Sequence, residues 1–400
     1  MIDIDFVLTL IFLFFANKLM LNNLAKKHSF FDKKLMMKLL WFHLSFFVIY
    51  FIYSIVNGSD GEIYYLEATY IWDDDWIANI KTGTKFISFF AAPFVELGLS
   101  YTSMMLVFAW MGYIGFVYAY LYFKENIPIE VEVFKRFDLL TLLLFLPNMH
   151  FWTASLGKGS MIFMGLMIFT YAVKFPQKRI FPLIIGGFFI YMVRPHVMLF
   201  VLVGVMVGIL FGKGKTSIGI KLLVIVASLG FLVAASSSIL AVAKLENSEN
   251  VVDDFEEFTQ ASASRLESSA DSGVSMSNYS LPLKLFTFWF RPLFIDSPGV
   301  VGQFSSVENL IYLLLFAKIF NMRFVRFIIK APYMVKMSAI VFLLSSFALT
   351  FVMSNLGIIM RQKSMVMYFG FFVIYYFLGI EKWKYLEKMK QKNIEPVATV

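Results

Sequence analysis

The sequence predicts an all-α polytopic integral membrane protein, and three observations lead to this fold class. The 400-residue chain is 59% hydrophobic and only 16% charged, whereas soluble domains are about 45–50% apolar and about 25% charged. Its 48 phenylalanines carry more aromatic surface than one soluble core of this size can bury. Apolar stretches such as LLVIVASLGFLVAASSSILAVA are continuous, whereas membrane-barrel strands alternate apolar and polar residues.

Membrane-spanning helices follow from the length of these apolar runs. A helix needs about 20 mostly apolar residues, because it rises about 1.5 Å per residue through a hydrocarbon core of about 30 Å. We predict about 11 spans, within a range of ten to twelve, in one membrane domain covering residues 1–400. The predicted spans lie near residues 4–22, 39–56, 101–122, 138–150, 160–174, 180–193, 196–212, 217–243, 304–320, 337–354 and 364–380.

The charge distribution predicts the orientation. The acidic start MIDID lacks the basic region of a signal peptide, so the first span is expected to be retained with the N-terminus outside and the C-terminus cytoplasmic. The loops that then face the cytoplasm hold 25 of the 35 basic residues and 8 of the 27 acidic ones, a net charge of +17 against −9 outside. Cytoplasmic loops collect Lys and Arg. The overall charge of +8 is therefore a topology signal, and no nucleic-acid partner is expected.

Two outer segments are long. Residues 57–100 end in the semi-apolar KFISFFAAPFVELGLSY, which is short enough for an interfacial or re-entrant helix. Residues 244–303 open with a run rich in Ser, Asp and Glu that is expected to be partly flexible. This second loop is either a lid over the site or a spacer.

The composition also excludes several kinds of chemistry. The chain has no cysteine, so disulfides, Cys-ligated zinc, iron–sulfur clusters and thiol catalysis are impossible. The histidines lack the HExxH or HxH spacing of a metal site. We therefore expect neither a metal nor a cofactor.

Six short polar motifs interrupt the apolar helices on the predicted outer side. Ionisable groups at such positions are costly in lipid and call for a reason. Six different connections contribute these motifs, and all six lie on the same predicted side. We therefore expect the motifs to form a common site. The motifs are SDGEIYY at 59–65, PNMHFWTASLGKGS at 147–160, RPH at 194–196, FRPLFID at 290–296, SSVEN at 305–309 and MRQKS at 360–364.

The arginines in these motifs are candidate anion ligands. Lys outnumbers Arg 27 to 8, so an Arg at an outer helix end is informative. Arg194, Arg291 and Arg361 present a planar fork that can bind phosphate or carboxylate in bidentate fashion. Lys158, in the small-residue turn LGKGS at a helix start, is placed to assist. The alternative is that each cation anchors its helix to lipid headgroups or pairs with an outer acid.

Candidate bases lie in the same motifs. Asp60 is placed to take a proton from an attacking sugar hydroxyl, while Tyr64 and Tyr65 pack on the sugar face, with Trp152 as a further sugar contact. His150 and His196 are the outer histidines, each either a proton acceptor or a hydrogen-bonded structural residue. Glu308 is a helix N-terminal charge, the partner of Arg291 or a second general base.

The order of HFWTASLGKGS, MVRPHV, FWFRPLF and SVENL, with SDGEIYY after an early span, resembles Wzy-like bacterial polysaccharide polymerases, in particular EpsG-like and O-antigen-polymerase-like proteins. The resemblance covers residues 57–365. It implies a GT-C-type glycosyltransferase of the inner membrane that joins undecaprenyl-diphosphate-linked repeat units. Its partners would be that lipid-linked glycan, the bilayer, and a chain-length regulator or flippase of the same pathway.

The same resemblance implies roles for individual residues. Arg194, Arg291 and Arg361 would bind the diphosphate with help from Lys158, and Asp60, His196 or His150 would be the base, in the last two cases through an imidazole. The chain lacks the large folded outer loop, rich in Arg and His, of the better-known O-antigen ligases and polymerases.

Two other functions compete with polymerisation. A lipid-linked-sugar flippase or polysaccharide exporter would also be polytopic, although a charged route through the bilayer is not evident in the spans. A membrane acyltransferase would use a histidine inside a span, and His43 in LLWFHLSFF is the candidate. It lacks a supporting Asn or Asp motif.

Overall fold

The chain folds almost entirely into helices. The computed structural model describes residues 3–72, 75–127, 129–135, 137–213, 218–236, 276, 279–297, 299–352 and 356–394. Within these ranges the strands form one antiparallel hairpin, β1 (Glu132–Val133) with β2 (Phe137–Asp138). The predicted all-α membrane class is therefore confirmed at the level of its helices.

The first part of the chain, up to Val173, forms helices α1 to α8. They are α1 (Ile4–Lys27), α2 (Lys33–Asn57), α3 (Asp60–Ile71), α4 (Thr84–Glu96), α5 (Tyr101–Asn126), α6 (Leu139–Leu144), α7 (Pro147–Thr153) and α8 (Lys158–Val173). A short 3-10 turn, Trp76–Asn79, connects α3 to α4.

The second half continues the same pattern and ends in a long helix. Its helices are α9 (Ile180–Val193), α10 (Pro195–Phe211), α11 (Ile218–Ala234), α12 (Leu281–Phe290), α13 (Gly299–Ala317), α14 (Met322–Lys330), α15 (Tyr333–Val352) and α16 (Leu356–Ile394). A 3-10 turn, Pro176–Lys178, precedes α9.

Several helices are long and apolar enough to cross a bilayer. Among the described residues five such spans occur, Ile4–Lys27, Lys33–Asn57, Tyr101–Asn126, Tyr333–Phe351 and Met365–Gln391. Six shorter apolar stretches accompany them, in α6–α7, α8, α9, α10, α11 and α12. The chain is thus a multi-pass helical protein, while the count of 11 spans and the N-out orientation stay predictions.

The predicted span 138–150 is wrong as a single helix. Pro147 has no N–H to donate and its ring excludes the helical conformation at the preceding residue. Leu146 is accordingly extended (φ −72°, ψ 121°) and Pro147 starts a new helix. The break therefore separates α6 from α7, which holds residues 147–153 of the motif PNMHFWTASLGKGS.

The two predicted outer loops are only partly described. In the first, 57–100, α4 occupies the stretch expected to be interfacial or re-entrant, and it packs on α3 and α9. In the second, 244–303, residues 244–275, which hold most of the run that is expected to be partly flexible, lie outside the described residues. The end of that loop forms α12 and the start of α13.

Small residues allow the central helices to pack closely. α5 is buried along most of its length and packs against α8. A Cβ at Gly115 would lie 2.5 Å from a ring carbon of Phe163, and one at Gly208 would lie 2.7 Å from the carbonyl oxygen of Tyr333. In lipid the hydrophobic effect contributes little to the association of helices, so their association depends on close packing, which small residues allow. Gly115 and Gly208 thus set the α5–α8 and α10–α15 distances.

Segments predicted to share the inner side contact one another. Arg179 pairs with Glu125, with Nη1 2.9 Å from the carboxylate. The Tyr333 hydroxyl donates to the carbonyl of Lys174 at 2.9 Å. Lys382 Nζ donates to the carbonyl of Glu130 at 2.7 Å. These contacts join the ends of α5, α8, α15 and α16 at one end of the bundle, which we name the inner face for its predicted orientation.

Segments predicted to share the outer side also meet. The carboxylate of Asp5 accepts from the backbone N–H of Ser100 at 2.8 Å, joining the starts of α1 and α5. The hydroxyls of Ser59 and Tyr101 lie 3.0 Å apart. Gly83 N–H donates to the carbonyl of Met192 at 2.7 Å. We name this end of the bundle the outer face, again for its predicted orientation.

Candidate functional site

The outer face brings together side chains from four separate segments. They come from the start of α3, the connection between α7 and α8, the junction of α9 with α10, and the first turns of α16. Pro195 creates the third of these positions, because a residue before proline is excluded from the helical conformation. Arg194 is extended (φ −149°, ψ 85°) and breaks what would otherwise be one long apolar helix.

An ion pair with Asp60 positions Arg361 at this site. Arg361 Nη1 donates to Asp60 Oδ2 at 2.8 Å across 301 positions of sequence. The guanidinium lies 6.0 Å from the centre of the Trp152 ring, within cation–π range. Burial lowers the pKa of Arg361, but the hydrogen bond and the charge of Asp60 outweigh it and raise that pKa above its ordinary value. Arg361 is therefore a fixed cation with one exposed carboxylate beside it.

Arg194 is more deeply buried and only partly hydrogen-bonded. Only 9% of the residue is exposed. Its Nη1 donates to Gln362 Oε1 at 2.6 Å, whereas its Nε has no partner among the described residues. Nδ1 of the nearby His196 is likewise buried without a partner there. Because unsatisfied buried donors and acceptors are costly, these two atoms indicate a place for a ligand.

Lys158 completes a group that we name the cation cluster, Arg194, Arg361 and Lys158. Lys158 is the first residue of α8 and interacts electrostatically with both arginines and with Asp60. Gly157 precedes it in a fully extended conformation, and a Cβ at this position would lie 4.0 Å from a carbon of the Tyr64 ring. The N-terminus of α8 adds partial positive charge at the same point. Three cations therefore face a single nearby carboxylate.

The aromatic candidates separate into two groups. Tyr64 is 5% exposed and its hydroxyl is hydrogen-bonded with Arg361. Burial, followed by the charge of Asp60, raises the Tyr64 pKa, so its hydroxyl remains a neutral donor. Tyr65 points the other way and donates to the carbonyl of Leu99 at 3.1 Å. Tyr64 and Trp152 thus line the site, and Tyr65 holds the start of α5.

His150 does not face the site. It is fully buried, its ring stacks on Phe116 with centroids 3.9 Å apart, and its Nε2 lies 2.7 Å from the carbonyl oxygen of Leu144. Its Nδ1 lies 2.8 Å from Nδ1 of His43. Both ring nitrogens are engaged inside the bundle, so His150 and His43 are packing residues in this structure. The sequence does not reveal this because it does not show α7 packing against α2.

Arg291 also stands apart from the cation cluster. Its guanidinium pairs with Asp296 and lies 3.5 Å from the Tyr279 hydroxyl. The Arg291 carbonyl accepts from Lys363 Nζ at 2.9 Å, which ties this turn to α16. A carboxylate five residues away already neutralises the side chain. The prediction that all three arginines form one clamp is therefore corrected to Arg194 and Arg361.

Glu308 differs from two of its predicted roles. It is the tenth residue of α13 and so is not an N-terminal charge, and Arg291 is not its partner. Its carboxylate accepts the backbone N–H of Asn148 at 2.7 Å and the hydroxyl of Tyr312. With 2% exposure it is also out of reach of a bulky substrate.

Asn148 links Glu308 to the cation cluster. Its amide N–H donates to the carbonyl of Met360 at 3.1 Å, and its Oδ1 accepts from Trp152 Nε1 at 3.0 Å. One chain of hydrogen bonds thereby fixes Trp152 and the backbone of Met360, the residue before Arg361. Sequence reasoning does not single out Asn148, Gln362 or Lys363, although they lie inside the motifs PNMHFWTASLGKGS and MRQKS. In the sequence, two amide side chains and one lysine do not by themselves indicate a role in a site.

Replacing Glu308 with alanine is expected to destabilise the protein by about 3 kcal/mol. The change leaves the backbone N–H of Asn148 without its acceptor. It also removes the carboxylate that interacts electrostatically with buried Lys363, which keeps its hydrogen bonds to Arg291 and Asn309. Glu308→Gln keeps an acceptor and is expected to cost less. Thermal unfolding of the purified protein in detergent measures both. The control is Glu96→Ala, at an exposed position, and equal midpoints for Glu308→Ala and this control would contradict the assignment.

No family model, curated protein or solved structure matches the chain. The described residues contain no group of three or more His, Asp or Glu side chains that could hold a metal ion, and the absence of a metal stays a prediction. The resemblance to Wzy-like polymerases and the GT-C-like architecture likewise stay predictions.

Proposed function

We propose that the protein is a membrane glycosyltransferase that polymerises polyprenyl-diphosphate-linked oligosaccharide repeat units on the outer face of a bacterial inner membrane. One observation carries the proposal. Arg194, Arg361 and Lys158 come from three distant parts of the sequence and lie together at one end of an apolar bundle. Two buried polar atoms near these cations, Arg194 Nε and His196 Nδ1, have no hydrogen-bond partner among the described residues.

The charge balance supports an anionic substrate. Three cations beside one carboxylate repel each other in a medium of low dielectric, and an anion offsets that cost. Arginine forks and a helix N-terminus suit phosphate oxygens in particular. Because the surrounding helices are apolar enough to lie in lipid, a diphosphate carried on a polyprenyl chain fits better than a soluble nucleotide sugar.

The neighbouring groups support glycosyl transfer. In the proposed reaction, an acceptor hydroxyl oxygen forms a bond to the anomeric carbon of the donor glycan, and its proton passes to Asp60. The bond from that carbon to the diphosphate oxygen breaks, and its electron pair leaves with the diphosphate. Arg194 and Arg361 stabilise the charge that develops there.

Asp60 is the base we favour among the four candidates. It is exposed, next to Arg361 and at the start of α3, so an acceptor hydroxyl can reach it. His196 is the second choice, since its Nδ1 lacks a partner among the described residues. His150 and Glu308 are both enclosed by protein. Trp152 is half-buried and offers a ring on which a sugar packs, whereas Tyr64 is 5% exposed and helps to position Arg361.

The proposal is tested with purified protein in liposomes that contain undecaprenyl-diphosphate-linked repeat units. We expect lipid-linked chains of two or more units to accumulate on the leaflet where the substrate starts, without added metal or nucleotide. Gel electrophoresis of the glycolipids measures chain length. Movement of single units across the bilayer without lengthening would instead identify a flippase or exporter, and the absence of both lengthening and movement would contradict the proposal.

A further inference from the structure

A strongly basic cleft lies at the opposite end of the bundle from the cation cluster. It has a volume of about 460 Å³ and lies between α14 and the C-terminal part of α16. Ligand sites typically have volumes of about 300–1,000 Å³. The charged residues that line it are Arg323, Arg326, Lys330, Lys384 and Glu381. Four cations thus face one carboxylate.

The carboxylate of Glu381 neutralises only part of this charge. Arg323 Nη1 lies 3.5 Å from Glu381 Oε2, and Lys384 Nζ lies 3.2 Å from Oε1. Within the part of the chain that the structure describes, neither Arg326 nor Lys330 forms an ion pair, and both are exposed. The cleft therefore retains at least two cations available to an anion.

α14 displays three separate stripes. The first stripe is aromatic and packs on α16, with the Phe324 and Phe327 rings each 5.3 Å from the ring of Phe377. The basic stripe is Arg323, Arg326 and Lys330, at i, i+3 and i+7 on one face. The third stripe is apolar and open, with Met322, Val325 and Ile329 exposed by 72%, 47% and 65%.

The open apolar stripe identifies the class of ligand. A soluble anion would need the basic stripe alone and would gain nothing from three exposed apolar side chains. A helix with cations beside an apolar stripe lies in the plane of the bilayer, with that stripe among the acyl chains and the cations at headgroup level. Basic pockets between helix ends on the cytoplasmic side bind anionic headgroups.

We propose that this cleft is a binding site for the phosphate headgroup of an anionic phospholipid. Arg326 and Lys330 contact the phosphate, Arg323 and Lys384 are positioned around it by Glu381, and Met322, Val325 and Ile329 contact the acyl chains. The site is independent of the proposed polymerase activity, because it shares no residue with the cation cluster and lies on the inner face.

The test compares lipid retention by the detergent-purified full-length protein in native mass spectrometry. The lipids are phosphatidylglycerol and phosphatidylcholine with the same acyl chains. We expect the parent protein to retain phosphatidylglycerol preferentially. Each basic residue near an anionic surface strengthens binding roughly fivefold, so the triple variant R323Q/R326Q/K330Q is expected to lose roughly 100-fold in affinity.

A matched control removes equal charge elsewhere on the same face. The variant K26Q/K34Q/K38Q alters three exposed lysines of α1 and α2 and is expected to retain the lipid preference. The single change Arg326→Gln touches no ion pair, so folding is preserved, and it is expected to weaken binding roughly fivefold. Unchanged retention in both Arg326→Gln and the triple variant would overturn the proposal.

A second arm separates a lipid from a soluble anion. The variant M322S/V325S/I329S keeps every charge but removes the apolar stripe. We expect it to lose phosphatidylglycerol while its weak binding of inorganic pyrophosphate, measured by calorimetry, stays the same. If this variant retains the lipid fully, or if pyrophosphate binds the parent more tightly than the lipid does, the cleft binds a soluble anion and the proposal is wrong.

Discussion

Replacing Arg361 or Arg194 with alanine is expected to slow glycan polymerisation by roughly 100-fold to 1,000-fold. Each guanidinium is proposed to stabilise the charge that develops on the leaving diphosphate, and removing one such preorganised donor costs a few kcal/mol in the transition state. The lysine variants keep the charge but lose the bidentate fork, so an intermediate rate is expected. Chain-length analysis of glycolipids in proteoliposomes measures the effect.

Protein abundance and folding need to be measured alongside activity, because Arg194 is 9% exposed and bonds Gln362 on α16. Thermal unfolding of each variant separates loss of activity from loss of structure. The control is Lys81→Ala, which removes an exposed cation of the predicted outer segment 57–100 and is expected to leave the rate unchanged. Normal chain lengths in both Arg194→Ala and Arg361→Ala would refute the diphosphate role of the cation cluster.

Replacing Asp60 with asparagine is expected to lower the rate by roughly 100-fold or more, as for the loss of a general base. The same change removes the carboxylate that forms an ion pair with Arg361. A diphosphate no longer competes with that carboxylate, so its affinity is expected to increase. A slower reaction combined with tighter binding is a signature that loss of folding cannot produce.

The control for Asp60 lies two residues away on the same helix. Glu62 is exposed in the first turn of α3, and Glu62→Gln is expected to change neither rate nor affinity. Initial rates and the binding of undecaprenyl diphosphate are measured on both variants. If Asp60→Asn keeps the parental rate, Asp60 serves only to position Arg361 and the base must be sought at His196.

Most helices can be predicted from hydropathy because an apolar run long enough to cross lipid has few other uses. The predicted span 180–193 has the same bounds as the helix in the structure. Hydropathy does not predict α14, because its nine residues mix cations with apolar side chains and never form an apolar run. The helix break at Pro147 follows from the effect of proline on the residue before it. Hydropathy averaged over a long window does not show this local effect.

The site can be predicted only in part, for a physical reason. Arg194 and Arg361 stand out because an arginine at an outer helix end is unusual in a Lys-rich chain. Which motifs touch one another depends on helix packing, and the sequence does not contain that information directly. Arg291 and His150 therefore look equivalent to the other members of the site, although their partners, Asp296 and His43, place them elsewhere.

The diphosphate site is tested most directly by photo-crosslinking with an undecaprenyl-diphosphate sugar that carries a diazirine next to the diphosphate. Peptide mass spectrometry then locates the attached label on the full-length protein. We predict labelling within residues 147–158, 192–197 and 356–363, lost on adding excess undecaprenyl diphosphate but not excess undecaprenol. Labelling confined to the inner face around α14, or equal competition by undecaprenol, would contradict a diphosphate site at Arg194, Arg361 and Lys158.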